Sequence, residues 1–96
     1  MNDLEMLRQK IDSIDKQIVT LFNIRMETIK KVSFYKLNNN LPINNISREI
    51  ELIEKNKNLM NEDFYLYYEQ LYKEIFKISK TYQKKIIKRK EKYDIK

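Results

Sequence analysis

The sequence predicts an all-α fold of three helices, one long N-terminal, one short and one long C-terminal, and two observations carry that prediction. The 96 residues include no glycine, no alanine and a single proline, Pro42, so little interrupts a helix and little supports a tight hairpin. Apolar residues also recur at alternating steps of three and four over long stretches, the period of a helix that buries one stripe. The length sets an expectation of one domain, residues 1–96, built on one core.

Asn2, with Glu5 three residues on, has the spacing of a capping box and opens the first helix. Leu4, Leu7, Ile11, Ile14, Ile18 and Leu21 form its stripe, which resumes at Val32 and Tyr35, giving one helix over about 3–37. At the helical rise it is roughly 50 Å long, whereas a compact chain of this size has a radius of gyration of roughly 12 Å. A helix that outreaches its own domain implies a partner chain. The asparagine-rich segment 37–45, which holds Pro42, reads as a loop. A second helix follows over about 46–58, with Ile46, Ile50 and Ile53 as its stripe and Asn44, Asn45 or Ser47 as its cap. Asn61, followed by Glu62 and Asp63, starts the third, whose apolar face runs Phe64, Leu71, Ile75, Ile78, Tyr82 and Ile86. Beyond about Lys88 the apolar period weakens, and the lysine-rich end is expected to fray.

With no cysteine and no histidine, disulfides, thiol nucleophiles, imidazole bases and the commonest soft-metal sites are excluded together. Any chemistry falls to Arg, Lys, carboxylates, amides and hydroxyls. The N-terminal residues show no basic region followed by an apolar stretch, and no segment approaches the ~18 apolar residues of a membrane span, so a cytoplasmic location is expected and a membrane partner is not. The formal charge of +6 is concentrated: residues 84–96 hold +5 as a basic C-terminal extension, and the rest of the chain only +1. The seven tyrosines read as amphipathic packing rather than as stacking platforms for bases.

Continuing the heptad of the first helix past Leu21 puts Arg25 and Thr28 where the next apolar pair belongs. Burying a guanidinium without a partner is costly, so Arg25 calls for an anion, either a protein carboxylate or a ligand; an internal salt bridge and a register-setting polar residue are the structural alternatives. Lys36 lies eleven residues on, about 20° around the helix, so the two cations share a side. Arg8 is seventeen residues before Arg25, roughly 25 Å along the same rigid helix. In an antiparallel pairing of two copies, however, Arg8 of one can approach Arg25 of the other. Arg48 and Glu49 form a polar pair in the first turn of the second helix, where a carboxylate is favourable whatever the function. Ser79 and Gln83, spaced i, i+4 beside the apolar stripe of the third helix, either line a pocket or flank the core.

Taken in order, these positions resemble a known family. The run Leu7-Arg8-Gln9-Lys10-Ile11-Asp12-Ser13-Ile14-Asp15 is similar to the opening of the AroQ-class, all-helical chorismate mutases of the dimeric, monofunctional bacterial type. Arg25, Lys36, the loop with Pro42, Arg48-Glu49, Ser79 and Gln83 follow at matching places, and the resemblance covers about residues 4–86. It departs at Asn45, where the bacterial prototype has an aspartate, and in one small length difference between the second and third helices.

The resemblance implies an interlaced homodimer whose active sites are shared between subunits, and an isomerase that converts chorismate to prephenate on the shikimate route to phenylalanine and tyrosine. It assigns Arg8 from the partner subunit and Arg25 to the two carboxylates of the substrate, with Ser79 assisting. Lys36 and Gln83 donate to the ether oxygen. Arg48 orders the pocket, and Glu49, helped by Asn45, binds the ring hydroxyl. No cofactor and no metal are expected, because the rearrangement is pericyclic. Two alternatives stand beside it: an isochorismate-pyruvate lyase of the same fold, and a non-catalytic helical module binding nucleic acid through residues 84–92. Nucleic acid is not expected as a partner, because the body of the chain is nearly neutral.

Overall fold

The computed structural model describes residues 2–93 and is helical almost throughout, with no strand among the described residues. Helix α1 spans Asp3–Asn38, α2 Ile46–Lys57 and α3 Tyr65–Tyr93, the last preceded by a single 3₁₀ turn, Glu62–Phe64. Asparagine caps open all three segments, because a short side-chain carbonyl can reach the orphan N–H groups of a first turn. Asn2 Oδ1 accepts from Glu5 N at 2.8 Å, Asn45 Oδ1 from Arg48 N at 3.1 Å, and Asn61 Oδ1 from Asp63 N at 2.9 Å. The tight Asn61 cap closes the 3₁₀ turn, so α3 begins three residues later than the cap alone predicts.

The end of α1 is built with equal care. Asn40 adopts φ 55°, the left-handed region that asparagine tolerates better than most residues. That reversal lets Leu41 N donate to Lys36 O at 2.8 Å and Asn40 N to Leu37 O at 3.4 Å, a Schellman closure without glycine. The chain then runs through Pro42 and Ile43 into α2.

Both α1 and α2 pack on α3. Where α1 meets α3, Ser33 is fully buried and returns its hydroxyl to Ile29 O at 2.9 Å, a small side chain that lets two helices approach. The core of α3 is an aromatic ladder: the Tyr68 and Tyr72 rings lie 5.0 Å apart, and those of Tyr72 and Phe76 5.8 Å. The Tyr68 hydroxyl donates to Ile53 O at 3.1 Å and ties α2 to this ladder.

Three expectations are corrected. The buried face of α3 is Tyr68, Phe76, Ser79, Gln83 and Ile86, whereas Phe64, Leu71 and Ile78 are exposed. It is rotated by part of a turn from the apolar stripe because polar and polar-tipped side chains occupy its centre. On α2, Ile46 and Ile50 are exposed, and the covered positions are Glu49, Leu52, Ile53, Asn56 and Lys57. The helix of α3 continues through the basic segment to Tyr93 rather than ending near Lys88, and residues 94–96 of that extension lie outside the described residues.

The N-terminal half of α1 stands alone. Leu4, Leu7, Ile11, Ile14, Ile18 and Leu21 are all exposed within the chain, Leu21 by 64%, and the radius of gyration of 17.5 Å is well above that of a compact domain. Among the described residues no helix is long and apolar enough to cross a membrane.

Candidate active site

A cleft of about 580 Å³ opens where the C-terminal half of α1, the loop before α2, the first turns of α2 and the middle of α3 converge. It has the size of a small-molecule site. Its walls include Arg25, Lys36, Asn45, Arg48, Glu49, Ser79 and Gln83, seven of the eight residues singled out from the sequence.

Arg25 projects from α1 to α3, where its Nη1 donates to Ser79 Oγ at 2.5 Å. Among the described residues no carboxylate lies within ion-pair distance of it, so none of their Asp or Glu side chains satisfies the guanidinium. One turn from the end of α1, Lys36 Nζ donates to Ile43 O at 2.9 Å and to Gln83 Oε1 at 3.2 Å. The Schellman closure fixes the backbone of Lys36, and the loop folds back over its side chain. Burial pushes the Lys36 ammonium below the usual lysine value, and the Glu49 carboxylate offsets part of that shift. Ser79 and Gln83 are each only 4% exposed, and each has its cation as a partner. No buried side-chain polar atom is left without a hydrogen bond among the described residues.

The α2 side is organised differently. Asn45 serves as the N-cap of α2, its Oδ1 accepting from both Arg48 N and Ser47 Oγ, so its side-chain oxygen is already committed. Arg48 stands at the rim, 56% exposed, and pairs with Glu51 at 3.0 Å rather than joining Arg25 and Lys36. Glu49 turns inward and meets Lys80 of α3 at 2.8 Å.

Lys80 is the polar residue of the cleft that the sequence did not single out. An ion pair between two elements leaves no periodic trace, and the only hint was its place between Ser79 and Gln83. Of the apolar lining, Val32 was legible as part of the α1 stripe, whereas Ile29, Leu52 and Phe76 were not singled out. Arg8 is not at the cleft. It is exposed on α1, roughly 25 Å along the helix from Arg25. Among the described residues no group of three or more acidic side chains converges as a metal site.

The cleft thus gathers fixed cations and neutral donors around an apolar floor, an arrangement that holds a small polyanion and stabilises negative charge that grows on it. The chain matches the family model described as chorismate mutase type II over residues 7–84, a span that includes every residue named for the site. It is 35% identical over 91 residues to a bifunctional chorismate mutase/prephenate dehydratase of Aquifex aeolicus, covering 90% of this chain and 25% of the relative. A bifunctional chorismate mutase/prephenate dehydratase of Buchnera aphidicola subsp. Schizaphis graminum is 36% identical over 91 residues, covering 90% and 23%. The chain therefore spans about a quarter of the length of the curated relatives it matches. No solved structure matches it.

Proposed function

This chain belongs to the chorismate mutase type II family, and from that premise we propose that its cleft converts chorismate to prephenate, in aromatic amino acid biosynthesis, without a cofactor. The pairing of Lys36 with Gln83 carries the reading. An ammonium has three N–H donors. Two are taken by Ile43 O and Gln83 Oε1, which leaves the third for a ligand. With its Oε1 engaged, Gln83 has its amide N–H groups to offer. A charged donor and a neutral donor therefore stand side by side in a largely covered site.

That is what the rearrangement needs. The ether C–O bond of chorismate breaks while a C–C bond forms within the same molecule, and negative charge develops on the ether oxygen. Donors placed there before the reaction stabilise the transition state more than the ground state. Arg25, steadied by Ser79, binds one carboxylate of the dianion. Glu49 accepts from the ring hydroxyl, and Asn45 contributes by holding the first turn of α2. Arg48 closes the rim. With both ends of the ligand held, the compact conformer is favoured over the extended one, an orientation effect.

The second carboxylate falls to Arg8 of a second copy, in an interlaced homodimer. The exposed stripe Leu4, Leu7, Ile11, Ile14, Ile18 and Leu21 supports this, since full burial of such side chains is worth about 1.5–3 kcal/mol each. Antiparallel packing of two α1 helices along that stripe covers it and carries Arg8 of each chain toward Arg25 of the other. The cytoplasmic location and the reading of residues 1–96 as one mutase domain with a basic extension belong to the same proposal.

The test is turnover by the purified chain, followed by loss of chorismate absorbance and by acid conversion of the product to phenylpyruvate. Prephenate formation supports the reading. No turnover of chorismate, or salicylate formed from isochorismate instead, overturns it.

A further inference from the structure

Helix α3 makes three contacts across the cleft within five residues. Ser79 and Gln83 accept from Arg25 and Lys36 of α1, and Lys80 between them donates to Glu49 Oε2 of α2 at 2.8 Å. The Lys80 and Glu49 side chains are 29% and 22% exposed, so the pair is more sheltered than the Arg48–Glu51 pair at the rim and less screened by salt. Both residues line the cleft, and both also line the outer groove between α2 and α3, so the ion pair, with Phe76, forms the wall between the two.

Among the described residues, Glu49 is the only carboxylate lining the cleft. The ligand proposed above is a dianion, and a bare carboxylate beside it repels it. Lys80 removes that penalty. It also occupies Oε2, which leaves Oε1 as the acceptor for a ligand hydroxyl. We propose that Lys80 is a positioning residue acting through Glu49: it cancels the charge of this carboxylate and aims it, so that the cleft accepts a dianion bearing a hydroxyl. The role rests on the mutase reading of the site and adds to it a residue on which the affinity for substrate depends.

The field of Glu49 reaches Lys36 as well. Loss of Lys80 therefore leaves Glu49 with a free negative charge facing both the ligand and the cation that the reaction uses. The consequence is weaker binding more than slower chemistry, because the Lys36–Gln83 pair itself stays in place.

Steady-state kinetics on chorismate for the wild type, Lys80→Met, Lys80→Arg, Glu49→Gln and the Lys80→Met/Glu49→Gln double variant test this, with circular dichroism to confirm folding and Lys80→Gln as a second neutral variant. Where turnover is too slow, the Kd for prephenate by calorimetry replaces KM. Lys80→Met is expected to raise KM by about tenfold or more with kcat within about threefold, and Lys80→Arg to recover most of the loss. In the Glu49→Gln background, with no charge left to cancel, Lys80→Met is expected to change KM by less than about twofold. An unaltered KM in Lys80→Met and Lys80→Gln, or an equal rise in both backgrounds, overturns the role of Lys80. An active wild type with an indifferent Lys80→Met defeats this role alone, whereas an inactive wild type defeats the reading of the whole cleft and this role with it.

Discussion

Lys36 Nζ meets Gln83 Oε1 at 3.2 Å across the interface of α1 and α3, joining residues 47 positions apart in the chain. Each is fixed independently. Lys36 sits on a Schellman-closed helix end and also grips Ile43 O, while Gln83 is buried on the inner face of α3. Donors held in this way have little reorganisation left to do when charge develops between them.

Lys36→Ala and Gln83→Ala are each expected to lower kcat by about 10²–10³, the usual cost of deleting one preorganised donor. Circular dichroism should show both variants still folded. Near-normal turnover in either variant sinks the assignment of that residue to the ether oxygen.

In the role proposed for it Lys36 must be protonated, and its pKa lies below the ordinary 10.5 chiefly because burial penalises the charge. The alkaline limb of kcat/KM is therefore expected at a lower pH than a solvated lysine gives, and in kcat it should move up again, because a bound dianion favours the ammonium. Lys36→Arg should remove the limb. The stability effect runs the other way. The unfolded chain binds this proton more tightly than the folded one, so Lys36 costs stability at neutral pH. That cost fades as pH rises through the lowered pKa toward 10.5. Lys36→Met should therefore gain stability relative to wild type at neutral pH, and less at high pH. A pH–rate profile flat to the ordinary lysine range contradicts this account.

Arg25 occupies a helix position that the heptad reserves for a hydrophobe, and no carboxylate of the described residues neutralises it. Arg25→Met is expected to keep the thermal midpoint within about 2 °C of wild type or to raise it, since an apolar replacement at such a site is often neutral or stabilising. It should reduce kcat/KM by about 10² or more. A drop in the midpoint of more than about 4 °C would mean that Arg25 serves the fold.

Asn45 acts first as a helix cap. Asn45→Ala should cost about 1 kcal/mol in denaturant unfolding, whereas Asn45→Asp, which keeps the acceptor, should cost little. The loss of activity in Asn45→Ala should appear mainly in KM, through the loosened first turn that carries Glu49. A kcat effect as large as that of Gln83→Ala contradicts the capping role.

The bounds of α1 and α2 were legible because asparagine caps and three-four spacing mark them locally, whereas both ends of α3 were misplaced. The buried faces of α2 and α3 were not. Ser79 and Gln83 sit at the centre of the α3 face and Glu49 on that of α2, while Ile46, Ile50 and Leu71 point outward. A stripe read from hydrophobicity alone therefore drifts toward the wrong side wherever a site is built into the core. Arg25 was legible for the same reason in reverse, as a charge on an apolar seam. Lys80 was invisible, because its partner lies on another helix and nothing in either local pattern points to it.

The site as proposed is completed by a second copy of the chain, and complementation tests this most directly. Arg8→Ala and Gln83→Ala are each expected to be inactive alone. Co-refolded in equal amounts, half of the dimers pair one of each, and in those one site has an intact Gln83 and an intact Arg8 from the other chain. The account predicts recovery of about a quarter of wild-type activity, the share of intact sites in a random mixture of two-fold dimers. Activity of the mixture no higher than the mean of the two variants, with dimers present, contradicts a shared site.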